Sequence, residues 1–138
     1  MRRLADAGLL LLRAGVGTML LCLHGWARLV SAFGYLFLGR QWTFVALVQR
    51  MGFPKPAAFA VASALAESIG AVFLIVGFGT RLAALVVGFN MAVAVALELS
   101  KHSASVELPA VYLVAIATIA LAGAGAYSLD ARRGGRRK

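Results

Sequence analysis

The sequence has one cysteine, three prolines and five acidic residues in 138 positions, and charged residues of both signs make up only 14% of it. A single cysteine, Cys22, excludes an intrachain disulfide and any zinc site built from a cysteine cluster. Inside an apolar run it reads as a small hydrophobe. Water-soluble domains carry about a quarter charged residues, so this scarcity excludes an ordinary globular enzyme. A dinucleotide-binding glycine fingerprint, a phosphate loop, a haem-attachment motif and a metalloprotease motif are also missing, and no metal site is expected. No complete catalytic constellation stands in the chain.

What is present is apolar. Hydrophobic residues make up 62% of the chain, and its mean hydropathy is +0.88. A bilayer-crossing helix needs about 20 mostly apolar residues, and four runs approach that length, at about 7–30, 56–78, 82–99 and 108–126. The first follows Arg2 and Arg3, as a secretory signal would. It is interrupted by Arg13 and His24 and reaches no clear cleavage site, so it reads as a retained helix. Pro56 and Pro109 fall at first turns, where proline's missing donor costs nothing. Between the first two runs, Ser31–Lys55 mixes aromatics with arginines and glutamines. It reads as an interfacial segment with a short amphipathic helix over 41–51. The expected fold is an all-α integral membrane four-helix bundle, one domain over 1–130, with a basic tail over 131–138.

Lysine and arginine flanks tend to stay cytoplasmic. Four spans put both termini and the loop carrying Arg81 on one side with eight lysines and arginines, against five on the other. Both termini are therefore expected in the cytoplasm, with the tail lying on anionic lipid and not on nucleic acid. Small residues at four-residue spacing, Ala58, Ala62, Ala66 and Gly70 on the second run and Ala84, Gly88, Ala92 and Ala96 on the third, predict that these two helices pack together, within one chain or between copies.

Ionisable groups at membrane depth cost about 2.5 to 3.5 kcal/mol or more, so they face a partner or a function. Arg13 and His24 are 11 positions apart and, at 100° per residue, share one face to within about 20°. Arg28 lies one turn further on. Glu67 is central in the second run and Asn90 in the third, with Glu98 near the end of the third. The spans' directions gather His24, Arg28, Glu67, Glu98, His102, Glu107 and Tyr112 into one half of the bilayer. A substrate pocket of His24, Arg28, Glu67, Glu107 and Tyr112 is expected there, with His24 and Glu67 the candidates for proton transfer. Two plainer roles stand beside it. Arg13 pairs with Glu67 as a structural ion pair or snorkels to the headgroups, and His24 is a hydrogen-bonded structural residue.

The segments Leu12-Arg13, His24-Gly25-Trp26-Ala27-Arg28-Leu29, Gly52-Phe53-Pro54, Ala66-Glu67-Ser68-Ile69-Gly70, Gly77-Phe78-Gly79-Thr80-Arg81-Leu82 and Gly125-Ala126-Tyr127-Ser128-Leu129-Asp130 together resemble the DoxX family of small four-helix bacterial membrane proteins. The resemblance covers nearly the whole chain. It implies a place in the bacterial inner membrane and kinship with the small quinone-reducing subunits of thiosulfate:quinone oxidoreductase. It also implies ties to oxidative, thiol or quinone stress, in some members through a complex with soluble redox enzymes. Two functional readings follow. In one, the chain is a redox subunit whose pocket takes a quinone or a small sulfur-oxygen anion, with electrons from a soluble enzyme, a second membrane subunit or a thiol. In the other, it is a non-enzymatic anchor, chaperone or assembly subunit. A homo-oligomer fits either reading, and a channel is disfavoured because four helices around an alanine-rich core leave little lumen.

Overall fold

The computed structural model describes residues 2–101 and 104–134, and every regular element among them is helical. Helix α1 (Arg2–Leu20) passes through a widened π-type turn at Leu21–Gly25 into helix α2 (Trp26–Leu38). The helix thus continues past residue 30, the expected end of the first span, as far as Gly39, which ends α2 at φ +63°. The apolar stretch Arg3–Leu38 is 36 residues long. At 1.5 Å per residue it measures about 54 Å, well beyond the roughly 30 Å hydrocarbon core. The short helix expected over 41–51 is present as α3 (Thr43–Arg50), which packs on α4 (Pro56–Val76).

Helix α4 opens on a proline in its first turn and closes at Gly77, whose φ of +71° lets the chain reverse into α5 (Thr80–Ser100). Helix α6 (Glu107–Ala122) is shorter than expected, because Gly123 at φ +83° and ψ −164° leaves the helical region. Its 16 residues span about 24 Å. Among the described residues three helices are therefore long and apolar enough to cross a membrane, with α6 a shorter apolar fourth. α1 packs on α4 and α6, α4 on α5 and α5 on α6, which closes a ring of four. Leu20, Leu74, Val87, Met91, Ile116 and Ile119 fill its centre. Large apolar side chains such as Leu11, Leu82, Phe89, Val114 and Leu121 point outward. An apolar exterior of this extent belongs in lipid, so the molecule is a membrane helical bundle.

Helices α4 and α5 do pack, and of the expected stripes Gly70 and Ala84 are buried while other members are not. Gly70 is the close approach, since a Cβ there would overlap Val87. Ala58, Ala62, Ala92 and Ala96 stay exposed. The reason is geometric: residues four apart drift about 40° per step, so such a stripe turns away from a straight neighbour within three steps.

The chain end locks the turn between α4 and α5. The Asp130 carboxylate accepts from the Gly79 N–H (2.8 Å) and the Thr80 N–H (2.9 Å), and the Asp130 N–H donates to the Gly77 carbonyl (3.0 Å). Asp130 thereby caps α5 from a distance, where helix N–H groups otherwise lack partners. Partial burial pushes its acidity down, but the two backbone donors and the nearby Arg133 charge outweigh this and hold the carboxyl below the usual carboxylate range. Asp130 lies in α7 (Leu129–Gly134), so part of the expected tail is helical, and residues 135–138 lie outside the described residues.

Arg13 belongs to this lock. It is only 1% exposed and donates to the carbonyls of Leu74 (3.0 Å), Ile75 (2.8 Å) and Tyr127. The expected Arg13–Glu67 ion pair is therefore corrected. The last carbonyls of α4 have no partner within their own helix, and the guanidinium's fork of donors satisfies them.

Candidate functional site

The site begins at the π-type turn. One extra residue within a turn shifts the helix phase by about 100°, so the uniform count that placed Arg13 and His24 on one face fails across Leu21–Gly25. Arg13 faces the chain-end lock, while His24 turns toward α6, its ring edge-on to Tyr112 at 6.0 Å. The turn is held from α4: Ser68 Oγ reaches the carbonyl of Gly25 at 3.0 Å and that of Ala64 at 2.8 Å. A side chain at Gly25 would press on Ser68 Oγ at 3.0 Å, which is why glycine suits this position.

One turn beyond His24, Arg28 forms an ion pair with Glu67. The glutamate side chain is 1% exposed and the arginine side chain 31%. A lone buried carboxylate would be prohibitively costly, so the pair, its hydrogen bond and further donors must all be present. The further donor is Asn90 on α5, whose Nδ2 donates to Glu67 Oε2 at 3.3 Å, while its Oδ1 accepts from Ser63 Oγ at 2.7 Å. The Arg28 guanidinium also lies 4.8 Å from the centre of the Phe44 ring on α3, a favourable cation–π contact. Two helices, α2 through Arg28 and α5 through Asn90, thus converge on the carboxylate that α4 carries, and α3 backs the arginine.

Two cavities flank this pair. The smaller, about 190 Å³, is lined by His24, Arg28, Glu67, Glu98, Ser105 and Tyr112 among others. The larger, about 590 Å³, lies among α3, α4 and α5 and is mostly apolar, with Arg28, Ser63, Asn90 and Glu98 as its polar wall. In the smaller, His24 Nδ1 and the Tyr112 hydroxyl are buried without a hydrogen-bond partner among the described residues. Such orphans are uncommon in folded proteins and point to a bound polar group.

The structure brings His24, Arg28, Glu67 and Tyr112 together, with Glu98 beside them. It does not bring Glu107, which stands exposed in the first turn of α6, where a carboxylate suits the helix dipole. His102 lies outside the described residues. Ser63 and Ser68 escaped the sequence reading. Ser63 is one turn before Glu67 on α4, a spacing that would have marked it, whereas nothing in the sequence signalled that Ser68 holds a π-type turn.

A DoxX family model matches residues 8–102, which include His24, Arg28, Glu67 and Asn90. No curated protein and no solved structure matches the chain.

Proposed function

The chain belongs to the DoxX family, and from that premise we propose that it is a subunit of quinone-linked redox metabolism whose smaller cavity holds the quinone ring. The observation that carries the reading is the pair of orphaned polar atoms, His24 Nδ1 and the Tyr112 hydroxyl, in the wall of one cavity that also holds a charged pair. The two rings touch edge to face, so these hydrogen-bonding groups stand side by side on one wall and suit one oxygen-bearing end of a quinone ring. A quinone supplies acceptance of two electrons and two protons. His24 can hold and pass a proton at Nδ1, with the Glu67 carboxylate in the wall of the same cavity. Arg28 offsets the negative charge of Glu67 through their ion pair. Electrons come from a partner, a soluble redox enzyme or a second membrane subunit, because one cysteine cannot cycle as a dithiol. The proposal places the chain in a bacterial inner membrane with both termini cytoplasmic, on the excess of lysine and arginine on that side.

The test is calorimetric titration of a tailless benzoquinone into the protein in mild detergent. Binding to wild type, weakened roughly five- to tenfold by His24→Phe and by Tyr112→Phe as each removes one buried hydrogen bond, is the expected result. The absence of binding, or equal binding by all three, overturns the proposal.

A further inference from the structure

The larger cavity has no role in the ring-binding site just described, yet it shares Arg28, Ala94 and Glu98 with the smaller one. The two chambers therefore adjoin along Arg28, Ala94 and Glu98, with Glu67, the ion-pair partner of Arg28, on the side of the smaller one. Their chemistry differs sharply. The small one collects ionisable and hydroxyl groups, whereas the large one is walled mainly by Phe59 and Ala62 of α4, Val86 and Phe89 of α5 and the underside of α3. Phe59, Val86 and Phe89 are also exposed on the bundle surface, so the chamber opens sideways toward lipid. It runs from the α3 end of the bundle, at Met51 and Phe53, down to Leu85 and Ala66 near mid-helix. Its polar groups all lie toward the junction, where Asn90 and Ser63 are already satisfied by each other and by Glu67.

We propose that this lateral chamber is the tail site and access route for an amphiphile, whose hydrocarbon chain lies between α4 and α5 under α3 while its polar head passes Arg28 into the cavity of His24 and Tyr112. The proposal rests on the ring-binding reading and extends it: it names the ligand class as a lipid-soluble, tailed molecule taken from the bilayer, and it makes α3 the roof of the route. Lipid tails are as apolar as the chamber wall, so the chamber contributes position and shape and adds little hydrophobic drive. Affinity in detergent is thus a poor measure, and the location of the tail in a bilayer is the right one.

The experiment uses the full chain in phosphatidylcholine vesicles and a benzoquinone with a decyl tail ending in a photoreactive diazirine. Labelled residues are mapped by mass spectrometry beside a diazirine-tailed phosphatidylcholine. The tailless benzoquinone titration runs in parallel. The expected result is labelling concentrated on Phe59, Val86 and Phe89, competed by unlabelled decyl quinone. It should fall about tenfold in Ala62→Phe, which fills the chamber from an exposed position, while tailless binding persists. Leu121→Phe, on the lipid face of α6, should change nothing. Quinone label spread evenly over the bundle, or matching the phospholipid label without competition, overturns the tail site whether or not the tailless ring binds. Competed label in the chamber without tailless binding supports the tail site and sinks the ring reading. Loss of tailless binding together with tail label in a folded Ala62→Phe contradicts the division into two chambers.

Discussion

At the scale of the residue, the account turns on Glu67. Its carboxylate meets Arg28 from α2 and Asn90 from α5, so its partners differ in what their removal does. Arg28→Met leaves a buried charge uncompensated and is expected to cost about 3 kcal/mol, the low end for a broken buried pair because the arginine is partly exposed. Thermal unfolding in detergent measures it. Arg28→Lys should recover only part, since lysine keeps the charge but loses the planar fork and the stacking on Phe44. These residues were legible in the sequence because membranes make ionisable groups expensive, so His24, Arg28, Glu67 and Tyr112 stood out against an apolar background. Arg13 stood out equally and was placed wrongly. Its partners are backbone carbonyls at a helix end, which no side-chain pattern displays, and the π-type turn that separates its face from that of His24 leaves no mark in composition.

At the scale of the element, the helices are set by their ends. Asp130 caps α5 across 50 positions of sequence, and Asp130→Ala is expected to cost about 1 kcal/mol, as for other lost caps. Its lowered pKa fixes the pH dependence. The unfolded chain takes up a proton on this carboxyl at higher pH than the folded one does. The stabilisation is therefore complete above the ordinary carboxylate range and is lost as pH falls through the lowered folded value. Wild type should lose more stability than Asp130→Asn between about pH 5 and pH 3, read as the difference in Tm across that range. Gly70→Val should introduce overlap with Val87 costing about 1 to 3 kcal/mol, largely restored by a second change, Val87→Ala. Helix existence was readable from apolar runs and prolines. Helix length was less so: α2 ran to Gly39 because nothing before it breaks a helix, and α6 stopped at Gly123 although apolar residues continue beyond it.

At the scale of the whole molecule, an apolar exterior surrounds a small charged centre, the reverse of a soluble enzyme. Arg28 and Glu98 stand in the walls of two cavities of unlike chemistry, and α3 covers the larger one. The closure of four helices was anticipated by hydropathy and short loops. The cavities were not, because each is walled by several helices at once, the larger by α3, α4 and α5 and the smaller by residues from α1 to α6, and the smaller depends on where the phase of the first helix shifts. The competing account, an anchor or assembly subunit, makes the same bundle serve only as a platform, with the polar centre fixing helix register. The two accounts part on whether a small molecule travels with the protein.

The most direct measurement is therefore native mass spectrometry of the protein purified in mild detergent, identifying every co-purifying lipid, quinone and protein, on wild type and on Glu67→Gln. The account expects a quinone on wild type that is reduced about tenfold in a Glu67→Gln protein that remains folded and monodisperse. It is contradicted if wild type carries no quinone, or carries the same amount as the variant, while a stoichiometric protein partner persists on both.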